Sequence, residues 1–117
     1  MTVSKITFDR DEDNRVTPQY SEARGPVLRS EKIEVTKAMF DSGKGAKTHA
    51  HAEEQVFYIV SGRLRVTCDG ETYEVSAGEG SFHPSNAEHT VQALEDTVAI
   101  SFKNLVDPIY EKTGELR

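Results

Sequence analysis

A chain of 117 residues with a formal net charge of −6 has room for one modest core and not for two. Its acidic and basic residues are interspersed with no basic stripe, which argues against nucleic acid and anionic membrane surfaces as partners. The single Cys68 excludes an intrachain disulfide framework. No apolar run is long enough to span a bilayer, so a cytoplasmic location is expected.

Residues 1–30 are polar, with a charge cluster from Asp9 to Asp13, Pro18, and a break at Gly25-Pro26. Ile6, Phe8, Val16 and Val27 are its few buriable side chains. An arm or a pair of short edge strands is expected here, packed on the outside of a barrel or on another subunit. Residues 31–117 carry the barrel itself. Ile33, Val35 and Met39 sit at odd positions of a first strand, before a loop from Asp41 to Gly45. Lys47 to Val60 reads as one long strand. Asp69-Gly70 is the strongest two-residue hairpin signal in the chain. A type I′ turn there pairs Cys68 with Glu71, Val66 with Tyr73, Leu64 with Val75, and Arg65 with Glu74, apolar against apolar and plus against minus. Ala77 to Gly80 forms the next turn, and Phe82 to Pro84 a short strand stopped by proline. Thr90 to Leu94 and Thr97 to Phe102 read as a final hairpin around Glu95-Asp96, with Val91 facing Ile100, Ala93 facing Val98, and His89 opposite Phe102. Many short strands with Gly-rich turns and no helical period indicate an all-β sandwich or barrel.

The chemistry concentrates in His49-Ala50-His51-Ala52-Glu53-Glu54-Gln55 and in His89. Alternate residues of a strand share a face, so His49, His51 and Gln55 aim at one side. Imidazoles are the commonest ligands for mid- and late-row divalent metals, and Gln55 adds an amide oxygen. His89 from a later strand closes a metal site. The bland alternative is a set of ordinary barrel histidines without metal. Phe57 and Ile59 share the parity of Gln55 and form an expected pocket floor, with Phe82, Val91, Ile100 and Phe102 as walls. Glu53 has the inward parity of a general base, whereas Glu54 is a solvated charge. His83 is a candidate acid/base group, set against a solvent-facing or packing role. Lys47 and Arg63 are candidates to hold a carboxylate, with surface roles as the default. Tyr58 has the opposite parity to Gln55 and belongs outside the barrel or at a subunit contact. Cys68 shares the apolar face of Leu64 and Val66, as an inert buried thiol would.

The stretch Gly43-x5-His49-x-His51-x3-Gln55-x6-Gly62 resembles the first signature of the cupin superfamily, and Gly78-x5-Pro84-x-Asn86-x2-His89 resembles the second. The resemblance implies a double-stranded β-helix, a jelly-roll barrel. One divalent transition metal (Zn, Ni, Mn or Fe) would be held by His49, His51, Gln55 and His89. This chain departs from the pattern in three places. Gln55 stands where the family usually has Glu, Asn86 where it has Gly, and Ala93 where it has Asn. Asn tolerates positive φ, so the turn at Asn86 is expected to persist. Four neutral donors leave the full +2 charge on the ion, which suits a small oxygenated anion as ligand. The His/His/Gln/His set is similar to the pectin-degradation branch, which ketonises unsaturated uronates. A metal-dependent isomerase or tautomerase is the function implied. A dioxygenase of small diketones and a non-catalytic ligand-binding or structural-metal barrel stand beside it. The resemblance also implies a homodimer.

Overall fold

The structure is a computed structural model that describes residues 4–106, so the expected barrel end at residue 117 lies outside the described residues. Nine strands are found among them. They are β1 (Val27–Arg29), β2 (Ile33–Phe40), β3 (Gly45–His49), β4 (Gln55–Ser61), β5 (Arg63–Cys68), β6 (Glu71–Ser76), β7 (Gly80–His83), β8 (His89–Ala93) and β9 (Thr97–Asn104). A five-stranded sheet runs β1-β2-β9-β4-β7 and a four-stranded sheet β3-β8-β5-β6, with antiparallel pairing throughout. The core lies between them, with Phe40, Phe57, Ile59, Leu64, Val66 and Val91 among its buried side chains. No helix among the described residues is long and apolar enough to cross a membrane.

The β5–β6 hairpin has the register its sequence dictates: Cys68 opposite Glu71, Val66 opposite Tyr73, Leu64 opposite Val75, and Arg65 opposite Glu74. Asp69 and Gly70 take positive φ (52° and 85°), the backbone a type I′ turn requires. Asn86 also takes positive φ, at 65°.

Two expected pairings are corrected. Lys47 to Val60 is not one strand: β3 ends at His49, β4 begins at Gln55, and residues 50–54 cross from one sheet to the other. The final hairpin does not form either. β8 pairs with β3 and β5, while β9 pairs with β2 and β4, so residues 94–96 also pass between sheets. A connection between sheets need not preserve the phase of a hairpin, and a shift by one residue turns every side chain to the other face. In β9 the inward set is therefore Thr97, Ala99, Ser101 and Lys103, while Phe102 is exposed. Likewise Glu34, Thr36, Ala38 and Phe40 point inward on β2, and Ile33 is exposed.

Across the five-stranded sheet these inward residues form rows. Glu34, Lys103, Gln55 and His83 are register partners in sequence from β2 to β7, and all four are buried. The next row is Thr36, Ser101, Phe57 and Ser81, and beyond it Ala38, Ala99 and Ile59. Polarity thus falls from charged to hydroxyl-bearing to apolar along the barrel. The arm ahead of β1 packs on this chain's own barrel. Arg24 bridges to Met39 and Ser21 to Ala46, and the Lys47 amide donates to the Tyr20 carbonyl at 2.7 Å. Gly25 passes over β2 with φ of 142°, where a Cβ would lie 1.8 Å from the Lys37 carbonyl oxygen. Only glycine fits there.

Candidate metal centre

His49 is the last residue of β3 and His89 the first of β8, directly opposite it in the ladder. His51 enters from the crossing between β3 and β4. One ring nitrogen from each lies within 4.8 Å of the others. The convergence comes from two neighbouring strands of one sheet and a crossover, so it does not need the single strand expected from sequence.

Each imidazole is oriented by a carbonyl two residues away. His49 Nδ1 lies 2.6 Å from the Lys47 oxygen, His51 Nδ1 2.9 Å from that of Glu53, and His89 Nδ1 2.9 Å from that of Ala87. A carbonyl only accepts, so each Nδ1 carries the hydrogen and each Nε2 keeps its lone pair. Nε2 of both His51 and His89 is buried with no hydrogen-bond partner in the protein. Burial pushes His49 down to about 4 and His51 to about 3, and it lowers His89 as well. The positive charge of Lys103 acts in the same direction on all three. Neutral imidazoles with converging, unmet lone pairs are a donor set that fits a divalent transition ion.

Gln55 starts β4 on the opposite sheet and is held at both ends. Its Nε2 donates to Ser101 Oγ at 2.7 Å and its Oε1 accepts from His83 Nδ1 at 3.2 Å. His83 Nε2 then accepts from Ser81 Oγ (2.8 Å), which leaves Ser81 to accept from the Tyr73 hydroxyl (2.6 Å). His83 is fully buried and stacks on His89 with ring centroids 4.3 Å apart, so the solvent-facing alternative is excluded. Burial and the neighbouring His89 push it down to about 3. Glu53 is buried behind His51, its Oε1 3.7 Å from Nδ1.

A cavity of about 40 Å³, room for about three waters, opens beside the centre. His49, His89 and Gln55 line it, as do Phe57 and Val91 of the expected pocket. The other expected pocket residues do not. Ile59 is fully buried in the core, and Phe82 and Phe102 are half exposed on the outer face with Ile100 beside them, because β7 and β9 present the opposite parity. Lys47 and Arg63 are exposed, Arg63 beside Glu74 at 3.7 Å. Cys68 is buried, and burial, with Asp69 and Glu71 nearby, raises its thiol pKa, consistent with an inert role.

Several cavity residues escape a reading of the sequence, among them Tyr20, Glu34, Ser101 and Lys103. Tyr20 of the arm stacks on His49 with centroids 3.7 Å apart and an interplanar angle of 24°. Glu34 and Lys103 line the same space. Ser101 and Lys103 alternate with the apolar side chains of β9, and that alternation was the available signal.

Residues 37–102, more than half of the chain, match the cupin domain, and the chain belongs to that family. Among solved structures it is similar to KdgF from a Halomonas species, with 24% identity, coverage of 89% of this chain and 97% of that one, and a TM-score of 0.73. An RmlC-like cupin from Shewanella frigidimarina is 23% identical over 85% and 96% of the two chains, with a TM-score of 0.68. An uncharacterised protein of Streptomyces coelicolor is 26% identical over 73 residues, 62% of this chain and 70% of the relative. The structural likenesses establish the fold, a jelly-roll barrel of the double-stranded β-helix type.

Proposed function

We propose that the protein is a metal-dependent enzyme that shifts a proton within a small oxygenated anion, an isomerase or tautomerase of keto acids or unsaturated uronates. The observation that carries this is the convergence of three neutral imidazoles, two of which, His51 and His89, have a buried Nε2 with no hydrogen-bond partner in the protein. His49, His51 and His89 would hold the ion, and Gln55 would add its amide oxygen. A divalent ion bound there supplies Lewis acidity, undiminished by any carboxylate ligand, towards a carbonyl or enolate oxygen.

The chain's own residues divide the remaining work. Glu53 and His83 are positioning residues, because Glu53 backs His51 and His83 holds Gln55 Oε1. Ser101 fixes the other end of the amide. Tyr20 covers His49 from the arm side. The volume beside the centre favours a short-chain acid over a larger sugar acid in this conformation. We also propose a homodimer through the outer face of the five-stranded sheet, where Ile33, Val56, Tyr58, Val60, Phe82 and Phe102 are exposed.

Solvent deuterium exchange tests the chemistry. Protein loaded in turn with Zn, Ni, Mn or Fe is expected to exchange hydrogen α to the carbonyl of a short keto acid, followed by proton NMR. A chelator should abolish the exchange. Stoichiometric metal with no exchange in any acid tried, or consumption of dioxygen in its place, would count against a proton-shifting enzyme.

A further inference from the structure

One wall of the cavity beside the metal centre comes from the arm and not from the barrel. Val16, Thr17, Tyr20, Ser21 and Ala23 line that space, and all of them precede residues 37–102, the stretch that matches the cupin domain. β3 is the outermost strand of its sheet, so its outer edge presents main-chain groups that a further segment can pair with. The arm pairs with them. The Lys47 amide donates to the Tyr20 carbonyl at 2.7 Å, the Glu22 amide to the Gly45 carbonyl at 2.8 Å, and the Gly45 amide to Glu22 Oε1 at 3.1 Å. A turn in which the Tyr20 and Ser21 amides both donate to the Thr17 carbonyl, at 3.1 and 2.8 Å, fixes the approach. These bonds set the Tyr20 ring against His49, two residues along from Lys47, with centroids 3.7 Å apart. His89 meets His49 edge-on at 4.2 Å, so that imidazole stands between a phenol ring and a second metal-binding ring.

We propose that Tyr20 is a specificity-determining residue, whose ring sets how long an acid can sit beside the metal centre. The inference rests on the metal-dependent function proposed above and names the side chain that limits its substrate class. An occupant that outgrows the roughly 40 Å³ beside the centre meets the arm, where the ring already lies against a metal-binding imidazole. The barrel walls are strands locked in continuous ladders, whereas the arm is joined by isolated bridges such as Ser21 to Ala46. A change of side chain in the arm therefore reshapes the cavity at little cost to the barrel. Because the filter is steric, it depends on the ring and not on the hydroxyl.

The probes are pyruvate and 4-methyl-2-oxopentanoate, which share a keto-acid head and differ in the bulk behind it. They are titrated by visible absorption into protein carrying one equivalent of Co(II), after the Co(II) affinity of each variant has been measured. The parent is expected to prefer pyruvate by at least about tenfold, the scale on which a closed pocket rejects extra methylenes. Tyr20→Ala should bring the two acids within about 3-fold of each other, and Tyr20→Phe should keep the parent's preference. No preference in the parent, or a preference in Tyr20→Ala that stays within about 3-fold of the parent's, would overturn the filter while leaving the metal centre standing. Weaker Co(II) binding in Tyr20→Ala with the preference unchanged would overturn it too, since the ring would then only position His49. If Tyr20→Ala does not fold, Tyr20→Leu decides by the same ratio. Failure of the parent to take up Co(II) would remove the metal function and this filter with it.

Discussion

On the four central and outer strands of the five-stranded sheet, the inner and outer faces invert the usual order of polarity. Glu34, Lys103, Gln55 and His83 form a buried row on the inside. One residue along each strand, Val35, Phe102, Val56 and Phe82 form a row on the outside, and Phe102, Val56 and Phe82 are half exposed. A sheet that served stability alone would place these rows the other way round, since desolvating charged and polar groups is costly. The inner row is tolerable in part because Gln55 and His83 are satisfied within the chain from Tyr73 through Ser81 to Ser101, and Glu34 pairs with Arg29. The inversion therefore supports the proposed site on the inner face and the proposed homodimer contact on the outer one.

Substitutions that separate the two faces test this comparison. The largest effect is expected from His89→Ala, which should weaken metal binding more than about 100-fold by titration calorimetry while far-UV circular dichroism keeps its β signature. Unfolding of that variant would mean that the inner face holds the barrel together instead. On the outer face, Val56→Asp should weaken self-association at least about tenfold by sedimentation and leave metal affinity unchanged. A monomer in both parent and variant would remove the role given to the outer face.

Smaller effects sharpen the inner face. Metal-free protein should lose stability as pH falls from about 6.5 towards 4, measured by chemical denaturation. The sign follows from the lowered histidines. Unfolded imidazoles take up protons near 6.5, whereas buried His49, His51 and His83 resist until about 4, 3 and 3. Above that window the stabilisation from these groups is fully present. A flat profile across it would show that the imidazoles are hydrated rather than buried. Gln55→Glu should tighten the metal on the order of tenfold through the added carboxylate charge. Unchanged affinity would place Gln55 outside the donor set. Tyr73→Phe, which removes the outermost hydrogen bond of the chain to Ser81, should cost about 1 kcal/mol in a denaturant titration.

Much of the architecture was legible in the sequence where local chemistry decides it. Asp69-Gly70 fixed its hairpin register, and the glycine and histidine spacing pointed to the barrel and the three converging imidazoles. Phase was lost at the crossing from β8 to β9, although it held across the crossing into β4, where Gln55, Phe57 and Ile59 face inward as expected. From residue 94 to 96 no hairpin links β8 to β9, so Ile100 and Phe102, expected as pocket walls, turn outward while Thr97, Ala99, Ser101 and Lys103 occupy the inner face. The same misplaced phase hid Lys103, the cation that lines the cavity, while Lys47 and Arg63 are exposed, in keeping with the surface roles that were their default. Tyr20 was hidden differently, because an aromatic residue in a polar arm carries no periodic signal of what it will stack upon. The rule that apolar residues turn inward fails on these strands because one face serves a site and the other remains apolar.

X-ray absorption on protein loaded with one equivalent of Zn(II) bears most directly on the metal centre. We predict stoichiometric uptake with three imidazole nitrogens in the first shell, at about 2.0–2.1 Å. Fewer than three imidazoles, or no uptake at one equivalent, would contradict the convergence of His49, His51 and His89 on a metal ion.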